Sequence, residues 1–423
     1  SKSLYALSDN SEDNKKAIDI MKEVVKKDDN IVMATLYLGQ MLYELGEYDK
    51  SSIYFERALT KSKSLQDNAG IAESLRKQGT LLRKNRDYDG ALDRFSESLS
   101  ISTVMNDNSI FLNELRERGF IVIDNSRSNY GWSYLSLGSS LNMMHHNFDP
   151  ELGSKNYNLA YDMISKNIVG DIFNELGYDT INFNSGWGST RNFENYDKTV
   201  CKNTTLSDSQ TLISILDNSI IQPVYSKFLI DDKRDRILCQ FEELGEITQK
   251  TENPSFIFNH FMIPHKPFIF GPNGESVTPV SLEPGQVETS FRNYAYIDQL
   301  QFANKKILES IDEILLNSDT SPIIILQSDH GSEFPDSASM ENKIKEKMAN
   351  FNSYYLPYGG EEILYDEITP VNSFRVIFNY YFDGDYEILE DSSYWSLFNP
   401  FETNDKPYFE DVTELLANYD SNN

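Results

Sequence analysis

The stretch that most constrains the fold runs from Pro322 to Ser332 and reads PIIILQSDHGS. Its Ile and Leu residues (323–326) do not alternate with polar ones, which is typical of a buried parallel strand. The strand leads into Asp329 and His330, and Gly331 permits a sharp turn after them. Open α/β sheets carry functional groups at the carboxyl ends of strands, and a carboxylate beside an imidazole can bind one divalent metal ion. Taken in isolation, a strand followed by a polar turn is the simpler interpretation.

Charge and composition exclude several classes of protein. The 423 residues include 66 acidic and 38 basic side chains, which gives a net charge of −28. A field of that sign repels nucleic acid and anionic lipid, so non-specific binding to either is excluded. The 25 Tyr and 25 Phe exclude a disordered chain.

The location of the chain is predicted from what the sequence lacks. No apolar run approaches the length of a membrane span, so no membrane segment is expected and a soluble cytoplasmic chain is predicted. The alternative is the extracellular face of the membrane, if this is a fragment of an anchored protein, since the first residue is Ser1. Cys201 and Cys239 form no zinc pattern. They would form one disulfide in an extracellular chain and two free thiols otherwise.

Residues 12–104 contain a helical repeat. Small residues that let helices approach closely recur in matching frames at Gly39, Ala58, Gly79 and Ala91, and EYDKS and DYDGA fit the tight turns. The pattern resembles the tetratricopeptide repeat, with about two and a half units, and a plain helical bundle is the alternative. The resemblance implies a curved array over residues 1–104 that binds a protein or peptide partner.

The remainder of the chain alternates strands and helices. Apolar strands are predicted at 120–123, after Gly177, at 255–261 and at 323–328, and helices at 208–217, 234–249 and 294–316. This alternation predicts an α/β domain with a mostly parallel sheet sandwiched by helices.

Two further features point to chemistry. Three of the five histidines, His260, His265 and His330, follow apolar strands, where catalytic groups gather in open sheets. Ser133 stands where a Ser-, Asn- and Gly-rich loop runs into a helix, and a helix N-terminus favours a nucleophile or a bound anion. On these residues alone, Ser133 is as well explained as an N-cap.

Five blocks support a second resemblance. In chain order they read NSRSNYGWSYLSLGSSLNM, FNHFMIPHKPFIFGPNGE, YIDQLQFANKKIL, IIILQSDHGSE and YYLPYGGEEILYDEITPVNSFRVIFNYYF. They resemble the sulfatase-like hydrolase/transferase domains of the alkaline phosphatase superfamily, whose relatives include lipoteichoic acid synthase and phosphoglycerol transferases. The resemblance implies that residues 105–423 form an alkaline phosphatase-like domain acting on phosphate or sulfate esters.

The resemblance also assigns roles to residues. It implies that Ser133 is the nucleophile and that Asp329 and His330 hold one divalent metal (Mn, Mg, Ca or Zn). It matches His265 to a histidine that contacts the anionic group of the substrate, and further candidates for substrate contact are His260 and Asn129.

One expected part of the family pattern is missing from the sequence. The family's domain opens with an apolar strand that ends in an acidic metal ligand, and no such strand lies between the end of the repeats, at about Ser102, and the point near Asn106 where the family pattern resumes. Asp124 is a candidate substitute because it closes a strand near Ser133. Two hypotheses follow: a metal-dependent hydrolase or transferase, or a catalytically impaired scaffold that acts as a protein-interaction module. A fragment or a rearranged reading frame is a third possibility.

Overall fold

A computed structural model describes residues 11–27, 32–65, 67–94, 97–98, 108–147, 155–202, 222–251, 253–280, 289–332, 339–396 and 409–420. The chain forms two compact units: Ser1–Ile110 with Pro264–Phe302, and Phe111–Ile263 with Ala303–Asn423. The predicted helix at 208–217 lies outside the described residues.

The first unit contains the repeat helices. They are α1 (Ser11–Lys27), α2 (Val32–Glu44), α3 (Tyr48–Leu65) and α4 (Asn68–Lys84), and residues 88–94 are also helical. A Cβ at Gly39 would lie 2.6 Å from the ring of Phe55, and the hydroxyl of Ser51 donates to the Gly39 carbonyl over 2.8 Å. The helices α2 and α3 therefore meet where the sequence predicted, because glycine leaves the space that the phenyl ring fills.

The same unit contains a short hairpin of β5 (Phe268–Phe270) and β6 (Ser276–Val280). The Gln299 carboxamide oxygen accepts from the backbone N–H of Ile269 over 2.8 Å. This side chain binds a backbone donor that faces away from the hairpin ladder, so it fixes the hairpin within the unit.

The second unit contains most of the strands. They are β1 (Ile121–Val122), β2 (Asp179–Phe183), β3 (Lys198–Val200), β4 (Ser255–Asn259), β7 (Ile324–Gln327), β8 (Asn352–Tyr355), β9 (Tyr394–Ser396) and β10 (Phe409–Asp411). The order β3-β2-β4 forms a parallel sheet, and β1-β8-β7 forms a second sheet in which both outer strands run antiparallel to β8. The pair β9 and β10 is antiparallel.

The helices of this unit cover the sheets. They are α5 (Ser109–Glu117), α6 (Ser133–Ser140), α7 (Lys155–Ser165), α8 (Ile168–Glu175), α9 (Gln222–Glu246), α10 (Thr289–Asn317, from Ala303 onward), α11 (Met340–Met348), α12 (Pro370–Tyr381) and α13 (Thr413–Asp420). Cys201, just after β3, forms a disulfide with Cys239 of α9.

The strand direction predicted for residues 323–328 needs a correction. The described partner of β7 is β8, which runs antiparallel to it with Ile325 opposite Tyr354. The run of Ile and Leu lacks alternation because helices cover both faces of β7: α10 packs beside Ile324, and Ile325 lies in the cluster with Ile377 of α12. Burial on both faces, and not strand direction, sets that pattern.

Candidate active site

Ser133 is the first residue of helix α6. The N-cap is Trp132, with extended backbone dihedrals of −128° and 134°, and it makes no side-chain capping bond. The Ser133 hydroxyl is therefore not used as the cap, and it lies at the positive end of the helix dipole. Such a position stabilises negative charge on an attacking oxygen or on a bound anion.

The Ser133 hydroxyl meets His330, which lies 197 positions later in the chain. Ser133 Oγ is 3.1 Å from His330 Nε2, and His330 Nδ1 is 2.7 Å from the carbonyl oxygen of Gly331. A carbonyl can only accept, so Nδ1 carries the ring proton. In the neutral ring, the Nε2 lone pair therefore faces the Ser133 hydroxyl, and Nε2 and the Asp329 carboxylate are the two acceptors for its single proton.

Asp329 completes this cluster. One carboxylate oxygen accepts from the backbone N–H of His330 over 3.0 Å, and the other lies 3.5 Å from His330 Nε2. The Ser136 hydroxyl donates to the Asp329 carbonyl over 2.5 Å and ties the strand end to α6. Burial alone would raise the pKa of Asp329, but the charges of His330 and His260 together with hydrogen bonds from Ser133 and the His330 N–H outweigh burial and lower it. Asp329 is therefore ionised at neutral pH.

Gly331 is required by a close backbone approach. Its N–H donates to the carbonyl of Lys347 over 2.8 Å. A Cβ at this position would overlap the carbonyl oxygens of Glu346 and Ala349 at the end of α11. The sequence predicted a glycine turn here, and the structure adds that the turn is pressed against a helix end, which fixes the direction of His330.

Sequence reasoning missed a second pair at the carboxyl edge of the parallel sheet. His260 follows β4, and its Nδ1 is 2.8 Å from the hydroxyl of Thr190, which lies in the loop after β2. The indole of Trp187 meets the His260 ring edge to face at 5.5 Å. Because β2 and β4 are parallel neighbours, the loops after them emerge at the same edge, and this pairing of strands was the available signal.

His265 belongs to the first unit. Its side chain is exposed, and Nδ1 lies 2.6 Å from the Lys266 carbonyl, so Nδ1 donates and Nε2 keeps its lone pair. The Gln299 amide donates to the His265 carbonyl over 3.2 Å. A contact between His265 and an anionic substrate group stays a prediction.

Asp124 and Asn129 have other partners in the structure. The Asp124 side chain is 71% exposed and forms an ion pair with Arg116 at 2.8 Å. Asn129 is buried, and its amide donates to the Thr369 hydroxyl (2.8 Å) and the Ser392 carbonyl (2.9 Å). The Asn129 oxygen accepts from the N–H of Val371 over 2.9 Å. Asn129 thus holds the loop before Ser133 against the start of α12 instead of facing a substrate.

Two family models match the chain. Residues 92–374 match the sulfatase model, which is more than half of the sequence. The chain belongs to the sulfatase family. Residues 31–103 match a tetratricopeptide repeat model. No curated protein and no solved structure matches the chain.

Membership of the sulfatase family confirms the predicted fold class. The chain is a helical tetratricopeptide region followed by a sulfatase domain with a parallel sheet and helices. Sulfatase domains act as hydrolases or transferases on sulfate or phosphate esters, and they generally use a divalent metal. The repeat region indicates a protein partner. None of the described helices is long and apolar enough to cross a membrane.

The sulfatase family's need for a metal can be compared with the side chains at the site. Ligand atoms that each lie about 2.1 Å from one ion are roughly 3 to 3.5 Å from each other. The distances from Ser133 Oγ to His330 Nε2 (3.1 Å) and from His330 Nε2 to Asp329 Oδ2 (3.5 Å) fit this range. The tautomer of His330 also leaves Nε2 available as a ligand atom. Over the part of the chain that the structure describes, however, no three acidic, histidine or cysteine side chains gather into a metal-binding group. Ser133, Asp329 and His330 thus supply part of the coordination shell of a metal ion.

Proposed function

We propose that this sulfatase-family protein is a metal-dependent hydrolase or transferase of phosphate or sulfate esters, with Ser133 as its nucleophile. The observation that carries the proposal is the pairing of the Ser133 hydroxyl with the Nε2 lone pair of His330 at 3.1 Å. The carboxylate of Asp329 lies 3.5 Å from the same nitrogen. A hydroxyl at a helix N-terminus, with an acceptor aimed at its proton, is suited to attack on an anionic ester.

Each residue contributes a defined part. Ser133 Oγ forms a bond to phosphorus or sulfur while the bond to the ester oxygen breaks, and the covalent intermediate then passes to water or to an acceptor alcohol. The N–H groups at the start of α6 face the charge that develops on the transferred group. The carbonyl of Gly331 holds His330 in the tautomer that presents Nε2 to Ser133. A divalent ion held by Ser133, Asp329 and His330 would occupy the Nε2 lone pair in place of the hydroxyl proton, and it would lower the pKa of the hydroxyl and offset the charge of the ester.

Hydrolysis assays with Ser133 variants test the proposal. We expect wild-type protein to hydrolyse a nitrophenyl phosphodiester or nitrophenyl sulfate in the presence of Mn²⁺, and Ser133→Ala to lose about a thousandfold or more. Ser133→Thr is the matched control, since it keeps a hydroxyl at the same point and should retain activity within about tenfold of wild type. Wild-type turnover no higher than that of Ser133→Ala, on both esters and with each metal tried, would show that this chain is not such an enzyme.

The second candidate function is a catalytically impaired scaffold. The observation that favours it is the incomplete set of acidic metal ligands in the described residues, next to a repeat region of a kind that binds proteins. Metal content after purification and titration with Mn²⁺ separate the two functions. A protein that binds no metal and hydrolyses no ester, yet retains a partner through the repeats, would be a scaffold.

The disulfide indicates the kind of compartment in which the protein resides. Cys201 and Cys239 are bonded to each other, and such bonds persist in oxidising compartments. We therefore propose the extracellular alternative in place of the predicted cytoplasmic one. Alkylation of protein taken directly from its native cells tests this: two blocked thiols without prior reduction would place the chain in a reducing compartment.

A further inference from the structure

The two three-stranded sheets of the second unit end in strands of unusual burial. In the orders β3-β2-β4 and β1-β8-β7, the last strands are β4 and β7. All five residues of β4 and all four of β7 are half-buried, whereas β2 and β8 are buried along nearly their whole length. If one face of β4 or β7 met solvent, exposure would alternate along the strand. Uniform half-burial instead indicates that one edge of each strand is open.

Helix α12 covers β4 and β7 on one face. The ring of Phe256 in β4 lies 5.9 Å from that of Phe374 in α12. The hydroxyl of Ser373 in α12 donates to the Gln327 side chain of β7 over 3.0 Å. One short helix therefore contacts both strands, so β4 and β7 both lie beneath α12.

A pair of helices covers the same two strands on the opposite face. Ile257 of β4 packs in the cluster with Ile247, just after α9, and Ile324 of β7 packs in the cluster with Ile311 of α10. The helices α9 and α10 contact each other, since Asn317 donates to the Gly245 carbonyl over 3.2 Å. Helices thus cover both faces of the sheets at the open edges of β4 and β7.

The strands also point the same way. His260 follows β4, Asp329 follows β7, and the charge of His260 acts on the Asp329 carboxyl group. Their carboxyl ends therefore meet at the edge where Ser133 lies. Yet among the residues that the structure describes, β4 and β7 share no hydrogen-bonded pairing. We call the position between the unpaired edges of β4 (Ser255–Asn259) and β7 (Ile324–Gln327), which helices cover on both faces, the strand slot.

We propose that the strand slot binds an extended segment of a separate polypeptide, which joins the two sheets into one. The segment is apolar on both faces, because β4 and β7 on either side of it pack apolar residues against α12 on one face and against the helices α9 and α10 on the other. Its length is about five residues, which matches β4.

Charge specifies the flanks of the segment. The chain as a whole carries a net charge of −28, which favours a donor with basic residues outside the strand. This inference goes beyond the proposed function, because strand binding is measurable without turnover.

A synthetic peptide tests the inference on the full chain. The peptide carries two lysines followed by five alternating Val and Ile residues. Hydrogen exchange read by mass spectrometry should slow at least about tenfold at both 255–259 and 324–327, since the new ladder would protect amides on each edge. The control peptide has proline at its central position, which removes a ladder donor, and should give no protection.

Three results would overturn the inference. The first is strong protection of both edges in the free protein, which would mean that the chain itself fills the slot. The second is equal protection by the proline peptide. The third is protection at the outer edges (121–122 and 198–200) as large as at the slot, which would be unspecific edge pairing. A peptide with two glutamates in place of the lysines should bind at least about threefold more weakly, and equal binding would refute the basic flank.

Discussion

Replacing Gly331 with alanine should displace His330 from Ser133. The added methyl group would overlap the carbonyl oxygens of Glu346 and Ala349, far inside the 3.0 Å below which Cβ contacts essentially never occur. Neither oxygen can rotate away as the tip of a side chain could, because both belong to the backbone at the end of α11. The loop must therefore retreat by roughly 1 Å, and we expect a loss of about 3 kcal/mol in the free energy of unfolding.

That retreat would also lengthen the 3.1 Å separation between Ser133 Oγ and His330 Nε2 beyond hydrogen-bonding range. Urea unfolding followed by tryptophan fluorescence reads the second unit selectively, since Trp132, Trp187 and Trp395 all belong to it. The imidazole N–H signal of His330 in NMR spectra reports its bond to Gly331.

Gly177→Ala is the matched control for this change. Gly177 has φ +81° and nothing within 4 Å of an added Cβ, so alanine there costs only backbone strain, about 1 kcal/mol. If Gly331→Ala were as stable as Gly177→Ala and kept the His330 signal of the wild type, our account of the strand end would be wrong.

Three further predictions concern residues around the site and in the repeats. Burial lowers the pKa of His146 from 6.5 to about 4, with a smaller effect of His145. The folded chain thus binds this proton more weakly than the unfolded chain, so about 3 kcal/mol of the free energy of unfolding should be lost as the pH falls from 6.5 through 4. Urea titrations at several pH values should show a weaker dependence of stability on pH for His146→Gln. Asn129→Ala should cost about 2–3 kcal/mol in the same assay, because the Val371 N–H loses its acceptor and the Ser392 carbonyl loses the Asn129 donor, whereas exposed Asn125→Ala should cost under about 0.5. Gly39→Ala should lower the thermal midpoint of the repeat helices in circular dichroism by crowding Phe55, at about 1–3 kcal/mol, and exposed Lys63→Ala should not; an unchanged midpoint would contradict the packing described for α2 and α3.

The repeat region illustrates how far local pattern can lead. Spacing of apolar residues and the recurrence of glycine predicted helices, turns and close approach at Gly39, and the repeat match and the packing against Phe55 agree with that prediction. Such features are accessible from sequence because neighbours in a helical hairpin lie within one repeat of each other along the chain.

The strand 323–328 shows where local pattern stops. A run of Ile and Leu reports burial on two faces but not the direction of the neighbouring strand, so the prediction of a parallel strand was wrong for the pairing with β8. Likewise, Asn129 reads as a polar loop residue near a nucleophile, and only its partners on α12 and after Glu390 reveal a buried structural role.

The sequence by itself determined that an aspartate and a histidine follow an apolar strand, that a serine begins a helix, and that a glycine comes next to the histidine. Only the tertiary structure decided that Ser133 and His330 meet, that the Gly331 carbonyl fixes the ring proton on Nδ1, and that His260 pairs with Thr190. The physical reason is that backbone preferences act over a few residues, whereas these contacts join positions up to 197 apart and depend on how strands and helices pack. Among the described residues, the unpaired edges of β4 and β7 belong to the same class, because the pairing of a strand edge depends on which segment packs beside it.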